Sequence, residues 1–481
     1  MTRLNRRDFL AGSAASIATT SGMVSSLAIG ARAMAADTSG YKALVCLFLK
    51  GGIDGMDTIL PVDQTSYNQL EALREEMFAS YNSRDVVSRL RNNILPLSAD
   101  NSGDLGGRTF GMPQEMTGLH QLFEDGELAV LGNVGPLIEP TDRTSYDNGS
   151  VRLPARLFSH NDQQSTWMAL GVEGEQRGWG GLFAEAASAS DPSINPLFAA
   201  ITARSNDVFL EGEAIRQFRA SAGSLDILTR RRLLGTRSSD NVRRERVRAF
   251  LTASGSRGYS GLYEQDLAAS VAGGITNTDF YRDALDTDVP AGLTGAFPST
   301  GLAGQLASVA ESIAIRNTLG ISRQVFYVTL GGFDTHAGQA GSLPGRQTEI
   351  ADAVVAFRQA MLDLGVWNDV TLFSMSDFGR TTLSNDDGTD HGWGNHHFIT
   401  GGAVNGRSIY GEMPNLDLDG ERYTGRRGRL IPTTSVEEYA ATLGRWFGLG
   451  ESELDNVLPN LANFSSRDLG FMDCGSFCGS T

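Results

Sequence analysis

The sequence predicts an α/β fold built on a mainly parallel sheet. Continuous apolar runs, the pattern of strands buried on both faces, lie at 43–49, 128–134, 324–330 and 370–375. Between the last two runs, apolar residues recur at helical spacing over 346–364. A strand, a helix and a strand within about 50 residues form a βαβ crossover, which sets both strands parallel in one sheet.

Short polar segments close these runs. GGIDG at 51–55 ends the first, GGFD at 331–334 ends the third, and Asp377 ends the fourth. A helix is predicted to begin near residue 162, and FIT at 398–400 is predicted to form a fifth, short strand. In open α/β sheets, ligands bind at the carboxyl ends of the strands, so these segments are candidates for a site.

The first 35 residues are predicted to be an export signal. NRRDFL at 5–10 is a twin-arginine pattern, an apolar stretch rich in Ala, Ser and Gly follows, and AMA at 33–35 is a small-x-small cleavage site. An amphipathic N-terminal helix is the alternative, but the three features together favour a Tat signal. We therefore expect the Tat translocation machinery as a partner and a mature protein in the periplasm or outside the cell.

The remaining chain is predicted to be one large α/β domain over 36–473, either with insertions or with a cap, because it exceeds the usual size of a single domain. About 200–300 differs from the rest. Polar helical patterns with many arginines lie at 211–218, 226–234 and 242–252. We predict a helical insertion there, which either roofs the site or packs at the periphery.

The cysteines and the net charge narrow the class of protein further. Cys474 and Cys478 lie in a tail at 474–481, where an oxidising compartment permits a local disulfide, and Cys46 lies in an apolar run and is expected to be buried. The formal net charge of -16 argues against binding of nucleic acid or an anionic membrane. No other stretch is long and apolar enough for stable membrane insertion.

Five of the six histidines lie in acidic, glycine-punctuated segments that follow predicted strands: His160, His336, His391, His396 and His397. Histidine is the commonest metal ligand among side chains and the usual proton shuttle near neutral pH. Scarce histidines beside aspartates at strand ends predict a site, most simply a metal site.

Three aspartates are placed to join these histidines. Asp54, Asp334 and Asp377 follow the first, third and fourth strands, and they can converge with His336 and His391. This set suits zinc, manganese or calcium, depending on geometry. Two cations bridged by aspartates can clamp a phosphate or sulfate ester. Each acid taken singly is equally typical of a helix N-cap, but their joint placement favours a site.

Ser159, His160 and Arg380 are the candidate catalytic residues. Ser159 precedes a predicted helix, where free N–H groups favour an anion, so a metal-activated nucleophile or a simple N-cap fits it. Arg380 either holds an ester oxygen or pairs with a surface acid. His396 and His397 are either groups behind the ligands or ordinary strand residues.

The ordered motifs resemble the bacterial domain-of-unknown-function family 1501. The motifs that carry this resemblance are the Tat signal, GGIDG at 51–55, SH at 159–160, GGFDTH at 331–336, SDFGRT at 376–381 and GTDHG at 388–392. That family is similar to the alkaline phosphatase and sulfatase superfamily. The resemblance implies an alkaline-phosphatase-like three-layer sandwich, with helices on both faces of the sheet and metals at the strand ends.

The resemblance also implies roles for single residues. Asp54 and Asp377 would bind one metal, and Asp334, His336 and His391 would bind the other. Ser159 would take the nucleophile position.

The chain departs from the superfamily pattern at three places. Phe378 stands where alkaline phosphatases carry a metal-binding histidine, so the Asp54 site would be weak, empty or selective for calcium or magnesium. The histidine after Asp334 lies only two residues away, closer than is usual. The formylglycine signature of sulfatases, which is Cys or Ser with Pro two and Arg four residues on, is absent from the sequence.

Taken together, the sequence predicts an exported, metal-dependent hydrolase of phosphate or sulfate esters. Its cofactor would be a divalent metal, zinc or manganese first and calcium or magnesium as alternatives, and its substrate a small anionic ester or an envelope glycan. One rival is a non-catalytic binding or structural protein of the cell envelope that keeps the fold and one ion. Another is a calcium-stabilised, lectin-like module.

Overall fold

The structure is a computed structural model that describes residues 36–84, 88–191, 194–220, 240–255, 257 and 261–473. The predicted export signal, the predicted helix at 226–234 and the cysteine tail lie outside these residues and stay predictions. Within the described ranges, no helix has both the length and the hydropathy needed to cross a membrane.

The apolar runs form the centre of a nine-stranded sheet. Its strand order is β13-β5-β12-β9-β1-β8-β6-β7, and β16 also pairs with β5. Every pair is parallel except those that β12 makes with β5 and β9. The strands of the described residues are β1 (Lys42–Lys50), β2 (Leu60–Pro61), β3 (Leu95–Pro96), β4 (Phe110–Met112), β5 (Leu128–Gly135), β6 (Ala200–Thr202), β7 (Phe218–Arg219), β8 (Arg323–Gly331), β9 (Val370–Ser376), β10 (Arg380–Ser384), β11 (Thr389–His391), β12 (Asn395–Gly401), β13 (Ile409–Gly411), β14 (Tyr423–Thr424), β15 (Arg429–Leu430) and β16 (Thr434–Ser435).

Helices cover both faces of this sheet. Helices α3, α9 and α11 pack on one face, and α5, α6 and α12 pack on the other. The helices of the described residues are α1 (Gln64–Leu73), α2 (Glu75–Asn82), α3 (Thr117–Glu124), α4 (Arg143–Asn148), α5 (His160–Ala169), α6 (Trp179–Ser190), α7 (Asp240–Ser254), α8 (Leu262–Asp288), α9 (Gly301–Ala314), α10 (Arg316–Leu319), α11 (Gln339–Asp363), α12 (Val436–Phe447) and α13 (Glu451–Val457). The predicted three-layer α/β class with a mainly parallel sheet is confirmed.

The predicted crossover is β8–α11–β9, and it places three strand ends side by side. β1 lies between β8 and β9, and its Leu49 pairs with Leu330 on one side and with Ser376 on the other. The three strands therefore end at the same level. Helix α11 begins seven residues before the predicted start at 346, across a segment that contains Pro344.

The fifth predicted strand is longer than expected and runs in the opposite direction. β12 covers Asn395–Gly401 and is antiparallel to both neighbours. Its first residue, rather than its last, consequently lies at the edge where β1, β8 and β9 end. That reversal brings the segment around His391 to the same edge.

The helical insertion predicted at about 200–300 needs correction in its first part. Ala200–Thr202 and Phe218–Arg219 are short strands of the main sheet, and 211–218 contains no helix. Among the described residues of this region before 289, α7 and α8 are the only α-helices, and Val208–Leu210 form one turn of 3-10 helix. Tyr281 of α8 contacts the rings of Phe198 and Phe218, so α8 packs against the β6–β7 edge.

Candidate metal centre

Three histidines and one aspartate converge at the carboxyl edge of the sheet. The Nε2 atoms of His160, His336 and His391 lie 3.5, 3.1 and 3.4 Å from Oδ1 of Asp334. The Nε2 atoms of His336 and His391 are 2.9 Å apart. The four residues come from three segments: the first residue of α5, the loop after β8 and the end of β11.

Each histidine is oriented by a second contact on its other ring nitrogen. Nδ1 of His160 lies 2.6 Å from Asp377 Oδ2, and Nδ1 of His336 lies 3.3 Å from Asp390 Oδ1. Nδ1 of His391 donates to the backbone carbonyl of Phe158 at 2.8 Å. Because a carbonyl oxygen only accepts, His391 keeps a lone pair on Nε2. Such outer contacts fix the tautomer and ring orientation of metal-binding histidines.

The distances within this cluster fit a single metal ion. Donor atoms of His160, Asp334 and His391 all lie within 4.8 Å of one another. A tetrahedral ion with bonds of about 2.1 Å separates its ligands by about 3.4 Å, close to the distances from Asp334. Nε2 of His160 is buried without a hydrogen-bond partner among the described residues. A buried polar atom normally has a partner, and an ion would supply one here.

The pKa values of three residues in the cluster are shifted in different directions. The hydrogen bond to Asp377 raises the pKa of His160, while burial lowers the pKa of His391. Burial alone would raise the pKa of Asp334, but the hydrogen bond and charge of Arg380 lower it. At neutral pH these shifts favour a carboxylate at Asp334 and a neutral imidazole at His391, as metal binding requires, whereas an ion at His160 has to displace the proton that Asp377 stabilises.

Arg380 fastens the loops together and is not free to hold a substrate. Its side chain is fully buried and donates to the carbonyls of Gly51, Gly52, Phe333 and Thr389. Its Nη2 also donates to Oδ1 of Asp334 at 2.7 Å. Of the two alternatives predicted for Arg380, an ester oxygen or an acid as partner, this contact favours the acid. Its role in the structure is to position Asp334.

Asp377 lies behind His160 and does not reach the centre. The residue is buried; its Oδ1 accepts from the Gly51 N–H at 3.1 Å, and its Oδ2 contacts His160 and Gln164. The prediction that Asp377 binds a metal directly is replaced by an indirect role. Asp377 orients the histidine that faces the centre.

Asp54 forms a buried ion pair with Arg74. Its two carboxylate oxygens lie 2.7 and 3.1 Å from the guanidinium of Arg74, and Gln339 also donates to Oδ2 at 2.7 Å. Both side chains of the pair are almost completely buried. Because Arg74 occupies both oxygens, the structure does not support Asp54 as a metal ligand.

Phe378, at the position where alkaline phosphatases carry a metal-binding histidine, packs its ring against the centre. Its buried ring lies 4.7 Å from the ring of His160 and 4.6 Å from that of His391. Gly52, at φ +78°, lets the ring approach, since a Cβ there would lie 2.5 Å from Phe378. Among the described residues, three of the five predicted ligands, Asp334, His336 and His391, lie at one centre, and Asp54 and Asp377 do not form a second one.

The remaining predicted residues are not ligands of this centre. Ser159 is the N-cap of α5, directly before His160, and its side chain makes no capping hydrogen bond. His396 and His397 are buried strand residues of β12, and burial lowers their pKa values to about 4 and about 3.

The family assignment follows from the sequence. The family described as "Protein of unknown function (DUF1501)" matches residues 41–458, which include every member of the centre. The chain belongs to this family. No curated protein matches it.

Several solved structures are similar to this DUF1501 chain. Ps i-CgsB shares 8% identity and a TM-score of 0.32, over 89% of this chain and 78% of that one. The lipoteichoic acid synthase LtaP from Listeria monocytogenes shares 10% identity and a TM-score of 0.29, over 90% and 75%. BT1596, a 2-O GAG sulfatase, shares 10% and 0.23, over 79% and 69%. At these values, the likeness gives this chain neither an activity nor a substrate.

Sequence reasoning named Asp377 and Arg380 but missed two other residues that support the DUF1501 centre, Phe158 and Asp390. Phe158 supplies a carbonyl only because the loop before α5 is unusual: Arg156 and Phe158 have φ values of 50° and 73°. Such conformations are uncommon outside glycine and cluster at functional sites. Asp390 is adjacent to His391 in sequence, and that adjacency is the one signal that could have identified it.

Proposed function

We propose that the protein is an exported, metal-dependent hydrolase of phosphate or sulfate esters that holds one divalent ion. The ligands are His160, Asp334, His336 and His391. The observation that carries this proposal is the convergence of three Nε2 atoms on one carboxylate oxygen while each Nδ1 is already engaged. A sheet needs no such arrangement for stability.

The donor set favours zinc or manganese over calcium or magnesium. Imidazole nitrogens suit zinc and other transition metals, whereas calcium and magnesium take oxygen ligands almost exclusively. Three of the four proposed donors are imidazole nitrogens. The calcium and magnesium alternatives depended on an acid-rich site around Asp54, and Arg74 occupies that acid.

The centre is reachable for a small anionic ester. The side chains of Asp334 and His336 are 47% and 45% exposed, so one side of the cluster faces solvent. Arg346 lies against Gly332, and Arg427 lies 3.0 Å from Asp390. Both guanidinium groups lie beside the centre, although each also pairs with an acid, Arg346 with Glu349 and Arg427 with Asp390. An anionic ester, free or on an envelope glycan, is the substrate class that fits.

The chain's own residues would orient the metal ligands and supply the nucleophile. A divalent ion at the centre would polarise the ester oxygens. Asp377 holds His160 toward the centre, and Arg380 holds Asp334 as a carboxylate. Ser159, directly before His160, is the proposed nucleophile, with a water molecule as the alternative.

A non-catalytic envelope protein that binds one ion is the second candidate. Two observations favour it: the Ser159 hydroxyl has no base among its described contacts, and Phe378 replaces a ligand that two-metal hydrolases need. Under this candidate, the protein holds its ion but turns over no ester.

An ester assay on matched variants separates these candidates. We expect the metal-loaded protein to hydrolyse an aryl phosphate or an aryl sulfate, and His391→Ala to abolish the activity. His120→Ala is the control, because His120 lies near the surface and contacts Pro96 away from the centre. Loss of activity in Ser159→Ala would support the nucleophile, and retained activity would favour water. A metal-loaded protein that hydrolyses neither ester class would support the binding protein instead.

A further inference from the structure

A second cavity lies at the opposite end of α5 from the metal centre. It measures about 200 Å³ and is enclosed by the chain after β5, the residues before Arg156, the end of α5 and the start of α12. Helix α5 ends at Ala169, about 14 Å along its axis from His160, and Leu170 at its end lines the cavity. The cavity is therefore separate from the metal centre.

Apolar side chains form most of the cavity wall, and one carboxylate interrupts them. Leu137, Leu153 and Val436 are among the apolar residues, and Glu437 is the only titratable group among the described residues that line the cavity. Glu437 is 2% exposed. It accepts from the backbone N–H of Asn460 and from Asn460 Nδ2, both at 2.7 Å.

Glu437 has no counter-charge in the described part of the chain. The groups packed against it are Asn460 and Leu461, both neutral, and no described lysine or arginine forms an ion pair with it. Burial raises its pKa to about 7, although these hydrogen bonds oppose the change. A buried carboxylate without a counter-charge tends to take up a proton, and a cation bound in the cavity would instead supply the missing counter-charge.

We propose that this cavity binds a small organic ammonium ion, with its apolar body against the leucine and valine walls and its ammonium group on Glu437. A cavity of about 150 Å³ takes benzene. The cavity described here is somewhat larger and suits a phenyl ring with a short amine chain. The site is independent of the proposed ester hydrolysis.

The test uses two probes of matched shape: 2-phenylethylammonium and the neutral 2-phenylethanol. Titration calorimetry on the full protein at pH 8 should show the ammonium binding at least about tenfold more tightly, because its hydrogen bond to a carboxylate is charge-assisted. At pH 6, where Glu437 is mostly protonated, we expect affinity for the ammonium to fall about tenfold. Affinity for the alcohol should not change.

Three variants make the test specific. Glu437→Gln should remove both the preference for the ammonium and the pH dependence. Glu438→Gln is the matched control, because Glu438 is also buried but bonds to Ser435 and does not line the cavity. Ala155→Phe should fill the cavity and weaken both probes. Equal binding of the two probes, or a preference that survives in Glu437→Gln, would overturn ammonium recognition; no binding of either probe would overturn the site.

Discussion

Which ring nitrogen of a histidine is already engaged decides what that histidine can do. In His160, His336 and His391, Nδ1 contacts a group outside the cluster and Nε2 faces inward. His396 shows the contrast within the same chain: its Nδ1 accepts from the backbone N–H of Asn133, and burial lowers its pKa to about 4. Burial alone makes a neutral core histidine, whereas the cluster has the supported Nε2 geometry of metal ligands.

Replacing Asp377 should weaken metal binding without removing the site. In Asp377→Asn, His160 loses a carboxylate partner at 2.6 Å but keeps its place at the start of α5. We expect metal affinity to fall by about 10- to 100-fold, as is typical for such outer contacts. Competition with a chromophoric chelator measures the change. Unchanged affinity would show that Asp377 does not support the ligand.

Replacing Asp54 should affect the fold and not the metal. Asp54→Asn leaves the buried guanidinium of Arg74 without its charged partner. We expect the free energy of unfolding to fall by about 3–5 kcal/mol, because an unpaired buried charge remains. Urea denaturation measures this loss, and metal content should match that of the wild type. A stable variant that has lost its metal would restore Asp54 as a ligand.

Among the secondary-structure elements, the strands that are buried on both faces were predicted correctly, because such burial requires a continuous run of apolar residues. β1, β8 and β9 are buried on both faces and therefore appear as continuous apolar runs. β6 and β7 have three and two residues, too few for a pattern, and were assigned to a helical insertion. The partner of Asp54 is an arginine twenty positions later in another element, and no spacing rule reveals such a pair.

Glu437, at the start of α12, should make the stability of the fold depend on pH. Burial raises the pKa of Glu437 from 4.5 to about 7, so the folded chain holds this proton more tightly than the unfolded chain. The resulting stability is fully present below about pH 4.5 and is lost as pH rises to about 7. Compared with Glu437→Gln, the wild type should lose roughly 3 kcal/mol over this range. Urea denaturation at pH 4.5, 6 and 8 checks this; parallel profiles would refute it.

At the scale of the whole molecule, the centre depends on the complete sheet. Its ligands and supports come from 158–160, 334–336, 377–380 and 390–391, which meet only after β1, β8, β9 and the hairpin β10–β11 are in place. Metal binding should therefore report on folding. This dependence suits the predicted Tat signal, because that route exports folded proteins and permits the ion to be acquired before export.

The sequence located all four proposed ligands near strand ends. The family resemblance divided the ligands between two metals, with Asp54 and Asp377 on one, and His160 was predicted to be catalytic, whereas the contacts in the structure favour one centre that includes His160. The level ends of β1, β8 and β9 follow from strand pairing and could be predicted. The side-chain choices within that edge depend on Arg74, Arg380 and Phe378, whose positions only the folded chain determines.

Metal content per chain tests the central claim most directly. We would measure zinc, manganese, iron, calcium and magnesium by elemental analysis in the protein purified from its exported form. The Asp334→Ala, His391→Ala double variant serves as the comparison. We expect about one equivalent of zinc or manganese, absent from the double variant. Two equivalents, no bound metal after reconstitution, or an equal amount in the double variant would contradict the single centre.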